Sequence, residues 1–214
     1  MTIDHIFIFT TDQGQVADEL VAFGLTEGSS RVHPGQGTTN RKFYFDNFFL
    51  EVLWVHDEAE IKSEVMKTIG LFERSAFHQN EFSRFGLCLV NDDDTDKLFE
   101  NAADYQPSYF PEGMKINYLK NDLQPSLPWT FRLPFKGQKK AVNEPTQHKN
   151  GIIKLTKASF SYTHNVADQY VNHFHGKKNI SFHQADHVGL ILTFDDHAQG
   201  LTKVFDRLNL TIAY

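Results

Sequence analysis

Hydrophobic and polar positions alternate from the first residues of the chain. In the stretch 3–9, His5, Phe7 and Phe9 share one face of an extended segment, and Ile6 and Ile8 share the other. Apolar residues on both faces predict a strand in the middle of a sheet. Thr11 and Asp12 then supply a helix start, Val16, Ala17, Leu20 and Val21 recur at helical spacing, and Gly24 stops the helix. Residues 29–32 read as a second strand. The glycines and proline of His33-Pro34-Gly35-Gln36-Gly37-Thr38 predict a loop with exposed backbone amides. The chain then enters two strand-like segments separated by Asp46-Asn47, the pattern of a hairpin ending near Val55. The predicted order to this point is strand, helix, strand, strand, strand.

A helical connector follows over 57–77, with Ile61, Val65, Met66, Ile69 and Leu71 as its apolar positions. A second round begins at 84–90, where Asp92 to Asp94 cap a helix through Leu98 and Ala102. Strands are expected at 114–119 and 129–135, in a region broken up by Pro107, Pro111, Pro125, Pro128 and Pro134. Residues 137–150 are polar and read as an exposed loop. A third round gives a strand at 152–162, a helix at 165–174, strands at 180–183 and 187–194, a final helix at 201–208 and a closing strand at 210–214. Three restarts of one order predict a single domain, 1–214, built of modules near 3–55, 83–135 and 151–214.

The first hairpin carries one costly residue. In the run 48–55, Phe49, Glu51, Leu53 and Val55 fall on one face and Leu50, Val52 and Trp54 on the other, so Glu51 is predicted to be buried. A lone carboxylate in apolar surroundings needs a charged partner, hydrogen bonds, a proton or a metal ion. Counting outward from a two-residue turn at Asp46-Asn47, Phe45 faces Phe48 and Lys42 faces Glu51. A cross-strand ion pair with Lys42, a protonated acid and a bound metal ion are therefore the alternatives.

Composition narrows the function. The 214 residues suffice for one substantial core, and the formal net charge of −6 with scattered Lys and Arg argues against a nucleic-acid surface. Cys88 is the single cysteine, which excludes an intrachain disulfide and a Cys-based zinc site; its apolar neighbours predict an inert buried thiol. The chain enters a strand without a signal-type segment and contains no run of membrane-spanning length, so a cytoplasmic protein without a membrane partner is expected. The 20 phenylalanines fit a sheet-rich core and a pocket with aromatic walls. The Gly-rich loop lacks a following GK[ST], and neither GxSxG nor HExxH occurs, which removes nucleotide, serine-hydrolase and zincin signatures.

Asp4-His5-Ile6, the loop His33 to Asn40 and Phe49-Leu50-Glu51 together resemble a glyoxalase-like domain of the vicinal oxygen chelate superfamily. The likeness is clearest over 4–55, with a weaker echo at His148-Lys149-Asn150-Gly151-Ile152. It implies an α+β fold of repeated βαβββ modules, whose curved mixed sheets form a half-barrel cupping a pocket. It also implies a divalent metal such as Zn, Fe, Mn, Ni or Mg, which binds neighbouring substrate oxygens and stabilises an enolate-like or alkoxide charge. The usual ligands, a His on the first strand and a Glu on the fourth, match His5 and Glu51. In the second module Phe85 stands for the His and Phe131 or Arg132 for the Glu, so that half of a ligand set is missing.

A further protein ligand must come from elsewhere, and His187, which opens an apolar strand, is the first candidate, with His33 and His148 behind it. Without metal, Glu51 would serve as a catalytic base whose pKa is raised by burial. His33, Gln36, Thr38 and Asn40 are expected to bind substrate, aided by the loop amides. Two functions stand open. One is a metal-assisted lyase, isomerase or dioxygenase acting on a small oxygenated metabolite; the other is a non-catalytic binding or sequestering protein. Module pairs of this kind form within one chain or between chains, so a homodimer is also an expectation.

Overall fold

The computed structural model describes residues 1–137, 143–164 and 168–214; part of the loop expected over 137–150 and the start of the helix expected at Asn165 lie outside these residues. Strand β1 (Ile3–Phe9) is hydrogen-bonded on both sides, as its two apolar faces require. It runs parallel to β4 (Phe49–Val55), with Phe7 beside Glu51, and antiparallel to β5 (Phe85–Asn91), with Phe7 beside Gly86. Between β1 and β4 come α1 (Ala17–Phe23), β2 (Arg31–His33) and β3 (Thr38–Tyr44). Helix α1 starts later than the sequence indicates, because Asp12 Oδ2 accepts from the Val16 N–H at 2.9 Å and so caps the turn that precedes it. The hairpin is as expected: the Phe45 N–H donates to Phe48 O at 2.9 Å, and Lys42 stands opposite Glu51.

The second round supplies α5 (Asp93–Asp96), β6 (Ala103–Tyr105), β7 (Ile116–Tyr118) and β8 (Trp129–Lys136). Its strands pair as those of the first round do, giving one eight-stranded sheet in the order β2-β3-β4-β1-β5-β8-β7-β6. That order is the same unit read outward from a central β1·β5 seam, so the two modules pair within one chain and curl into a half-barrel.

The third stretch follows a different rule. Strands β9 (Leu155–Tyr162), β10 (Ile180–Gln184), β11 (Gly189–Phe194), β12 (Thr202–Phe205) and β13 (Leu210–Ala213), with α6 (Asp168–Asn172), make a separate sheet ordered β10-β9-β11-β13-β12. The helix expected at 201–208 is strand β12 followed by a single 3-10 turn, Asp206–Leu208. Leu201, Val204 and Leu208 imitate helical spacing, but Leu201 and Val204 are exposed, and Phe205 is buried through its pairing with Leu210.

This second sheet backs the first. Ile6, Ile8, Leu50, Val52 and Phe85 pack with Phe160, Leu190, Leu192, Phe194 and Ile212 in one continuous core. Asn47 in the hairpin turn ties the sheets together, donating to Leu155 O at 2.8 Å and accepting from the Leu155 N–H at 2.9 Å. The opposite, concave face of the large sheet carries a second core of Phe7, Phe9, Leu53, Trp129 and Phe131. The connector packs into it as three short helices, α2 (Glu58–Ile61), α3 (Glu64–Ile69) and α4 (Leu71–Ser75). Met66, Ile69 and Leu71 join this core, whereas Val65 remains exposed. Among the described residues no helix is long and apolar enough to cross a membrane.

Gly86 shows how closely β1 and β5 fit. A Cβ there would lie 2.0–2.4 Å from three atoms of the Phe7 ring. Gly86→Ala is therefore expected to destabilise the fold by about 1–3 kcal/mol, as overpacked cores do. In a Phe7→Leu background the same change should cost less. Equal losses in the two backgrounds, measured by urea unfolding, would remove this explanation.

Candidate functional site

A cavity of about 400 Å³ opens on the concave face. The period-two alternation of β1, β3 and β4 delivers His5, Phe7, Asn40, Lys42, Phe49 and Glu51 to it, and β2 adds Arg31 and His33. The second module contributes Tyr109, Phe110, Trp129, Phe131, Leu133 and Phe135, so one wall carries polar groups and the other is largely aromatic.

Glu51 lies at the centre of the polar wall and is only 6% exposed. The Asn40 side-chain amide donates to its Oε1. His5 Nε2 stands 4.0 Å from Oε2, and His33 Nε2 stands 4.0 Å from Oε1. The other nitrogen of each ring is engaged. Asp4 Oδ1 accepts from His5 Nδ1 at 2.6 Å, and His33 Nδ1 is hydrogen-bonded to Thr38 Oγ1 at 2.9 Å. A proton on His5 Nδ1 leaves the Nε2 lone pair facing the carboxylate. The His5 ring also stacks on Phe49, 4.4 Å between centroids and 11° from parallel. Burial pushes the His33 imidazole below its ordinary value against the pull of Glu51, and Arg31, Lys42 and His5 push the same way as burial. Two imidazoles thus flank one carboxylate, each against a different oxygen, and residues of these types suit a first-row divalent ion.

Several expectations are corrected here. Lys42 is opposite Glu51, yet its ammonium lies over the rings of Tyr44 and Phe49, at 5.4 and 6.0 Å, and the carboxylate is met by Asn40 instead. The loop amides are not presented to a ligand: Gly35 and Gly37 both donate to Glu60 Oε2, at 2.8 and 3.0 Å. His33, Gln36 and Asn40 line the cavity, whereas Thr38 is buried behind them and holds His33 and the Gln36 side chain, the latter at 2.8 Å. His187 is not brought to His5 and Glu51. It lies exposed just before β11 and borders a different cavity with Arg84 and Asn80, because β11 belongs to the backing sheet.

His148 is also elsewhere, packed on Phe45 at 4.4 Å between ring centroids. In the second module Phe85 faces the backing sheet, so the concave position beside Phe7 is Gly86; Phe131 faces the cavity, and Arg132 turns away to Asp96 at 2.6 Å.

Among the described residues, Asp4, His5 and Cys88 bring three ligand-type atoms within 4.8 Å of one another. Neither Asp4 nor Cys88 lines the cavity, and Asp4 is bonded to His5. Burial holds the Cys88 thiol well above its ordinary value, which disfavours the thiolate that a metal requires. These two residues are better placed to support His5 from behind than to hold an ion.

Sequence reasoning missed Arg31, Tyr109 and Trp129 as parts of the site. Tyr109 Oη donates to Gln36 Oε1 at 3.1 Å, Ser108 Oγ donates to Pro34 O at 2.9 Å, and the Arg31 guanidinium lies 4.8 Å from the Tyr109 ring centre. The available signals were the aromatic pair Tyr109-Phe110 inside a proline-broken loop, and the alternation that places Arg31 on the His33 face of β2.

Two βαβββ modules joined edge to edge around a one-sided pocket define a vicinal oxygen chelate fold. The family described as a glyoxalase-like domain matches residues 3–175, and the chain belongs to it. Comparison with curated protein sequences gives no match. Among solved structures, a hypothetical protein from Staphylococcus aureus is similar at 12% identity with a TM-score of 0.56, covering 99% of this chain and 98% of that one. A triple mutant of 4-hydroxymandelate synthase from Streptomyces coelicolor is similar at 11% identity and a TM-score of 0.51, covering 92% of this chain and 72% of that one. A xylose isomerase-like TIM barrel/4-hydroxyphenylpyruvate dioxygenase fusion protein is similar at 7% identity and a TM-score of 0.50, covering 90% of this chain and 36% of that one. At these identities the likenesses speak for the fold.

The placement of His148 carries a pH prediction. Its Nδ1 accepts from the Thr26 N–H at 3.0 Å, which requires an unprotonated nitrogen, and burial lowers its pKa from 6.5. Below 6.5 the unfolded chain therefore binds a proton that the folded chain resists, and stability falls as the pH falls. In His148→Gln, urea midpoints compared between about pH 7.5 and about pH 5.5 should drop less than in the wild type. Some slope should persist, because His33 shifts in the same direction. An unchanged slope would mean that His148 does not contribute.

Proposed function

We propose that this chain is a metal-assisted enzyme of the vicinal oxygen chelate type, acting on a small oxygenated molecule, with His5, His33 and Glu51 as its metal-binding side chains. The observation that carries this reading is the approach of two imidazole nitrogens, each at 4.0 Å, to one buried carboxylate on a cavity wall. A bound divalent ion would act there as a Lewis acid, stabilising negative charge on adjacent substrate oxygens in a lyase, isomerase or dioxygenase reaction.

The chain's own residues prepare that chemistry. Asp4 keeps the His5 proton on Nδ1, Asn40 fixes the plane of the Glu51 carboxylate, and Thr38 orients His33. Trp129, Phe131 and Leu133 line the facing wall, where they exclude water and strengthen every charge interaction inside. In the absence of an ion, Glu51 is the group placed to take a proton from a substrate. A second reading, a ligand-sequestering protein, draws support from Gly86 and Phe131, which offer no ligand atoms in the second module.

Metal content of protein purified without an affinity tag separates the readings. Stoichiometric divalent metal is expected in the wild type and in Lys42→Met and His187→Ala, and it should be lost in Glu51→Gln and His5→Ala. A wild type that remains metal-free after metal-supplemented growth, and takes up no ion in calorimetry, would sink the metal-assisted reading.

A further inference from the structure

The cavity is unevenly charged. Arg31 and Lys42 both line it, and the carboxylate that lines it with them is Glu51. A guanidinium and an ammonium charge thus share the lining with one carboxylate, inside a chain whose net charge is −6. Among the described residues neither cation has a carboxylate oxygen within 4.0 Å; Arg31 rests over Tyr109, and Lys42 over Tyr44 and Phe49. The contrast with Arg41, the neighbour of Lys42 on the other face of the same strand, is direct. Arg41 is closed off by Glu27 at 2.6 Å and Asp18 at 2.8 Å. The amides of Gly35 and Gly37 are already taken by Glu60.

We infer that the cavity takes a small anion with a flat apolar body, its anionic group held by Arg31 and Lys42 and its body laid against Phe49, Trp129 and Phe131. Arg31 and His33 share a face of β2, and Lys42 and Asn40 share a face of β3, so the two cations flank the group around Glu51. A ligand held at that edge by charge-assisted hydrogen bonds directs the rest of its length along the aromatic wall. The inference rests on the reading of this cavity as the substrate site, but it does not require the metal.

Phenylacetate and its neutral amide, phenylacetamide, are suitable probes, since they share one flat body and differ in charge. Binding is followed by calorimetry and by tryptophan fluorescence in chelator-treated protein. Phenylacetate is expected to bind about tenfold or more tighter than the amide, as a charge-assisted contact implies. Arg31→Gln/Lys42→Gln should bring the two affinities together without weakening the amide, whereas Lys62→Gln should leave the preference intact. Near-UV circular dichroism and melting temperature check that the double variant is folded.

Equal binding of acid and amide, a preference that survives the double variant, or no binding of either probe overturns the inference. An acid preference seen only in metal-loaded protein also overturns it, while leaving the metal-assisted reading standing. A metal-free wild type that prefers the acid fails the metal-assisted reading and supports this one; Glu51→Gln that loses metal but keeps the preference supports both.

Discussion

Three ladders of backbone hydrogen bonds, β1 to β4, β1 to β5 and β5 to β8, fix the distance between the polar wall and the aromatic wall. Their register is guarded from the opposite side of the sheet. Ile6 and Ile8 are completely buried in the core shared with the backing sheet, and each such side chain contributes about 1.5–3 kcal/mol by its removal from water. Because side chains alternate with a period of two, a one-residue slip of β1 would exchange Ile6 and Ile8 with His5 and Phe7. It would drive the His5 imidazole, with no partner, into the apolar core between the sheets and put the isoleucines where His5 and Phe7 fit. The placement of His5 beside Glu51 is therefore protected by packing that never touches the cavity.

Alternation made part of this legible in the sequence. It put His5 with Phe7 on one face of the first strand and Glu51 with Phe49 on one face of the fourth, gave the hairpin its two-residue turn and put Lys42 opposite Glu51. It could not choose the partner of Glu51. A lysine has a long stem and a strongly hydrated head, so it can leave a buried neighbour and lie over rings nearer solvent. Asn40, a neutral donor two residues away on the same face, satisfies the carboxylate without burying a second charge.

The order of elements was legible for the first module; in the second, strand β6 at 103–105 was not indicated by its residues, and in the third the pairing was not legible. Nothing in the residues 155–213 announces that β9 lies between a parallel and an antiparallel neighbour, and His187 was misjudged with that topology. The assignment of Phe85 failed by one residue. Phe85 and Gly86 are both apolar in pattern, and only the approach of the Phe7 ring explains why the concave position is the one without a side chain.

The scaffold is nearly symmetric about the β1·β5 seam, but its chemistry is one-sided, and the loop after β6 links the two halves. Tyr109 holds Gln36, Gln36 holds Thr38, and Thr38 holds His33, so a residue of the aromatic half helps to set the orientation of an imidazole in the polar half. Ser108 adds a second bond across the same boundary, to Pro34. A ligand that enters along the aromatic wall therefore passes beside the residues on which His33 depends. Glu60 has the complementary role, because its capture of the Gly35 and Gly37 amides holds the loop in one shape. Gly37 itself, at φ +73°, has no room for a Cβ against the Asp57 carbonyl, 2.4 Å away. The division of labour is physical: backbone and buried polar groups immobilise the loop, while the side chains of Arg31, His33 and Lys42 line the cavity beside it.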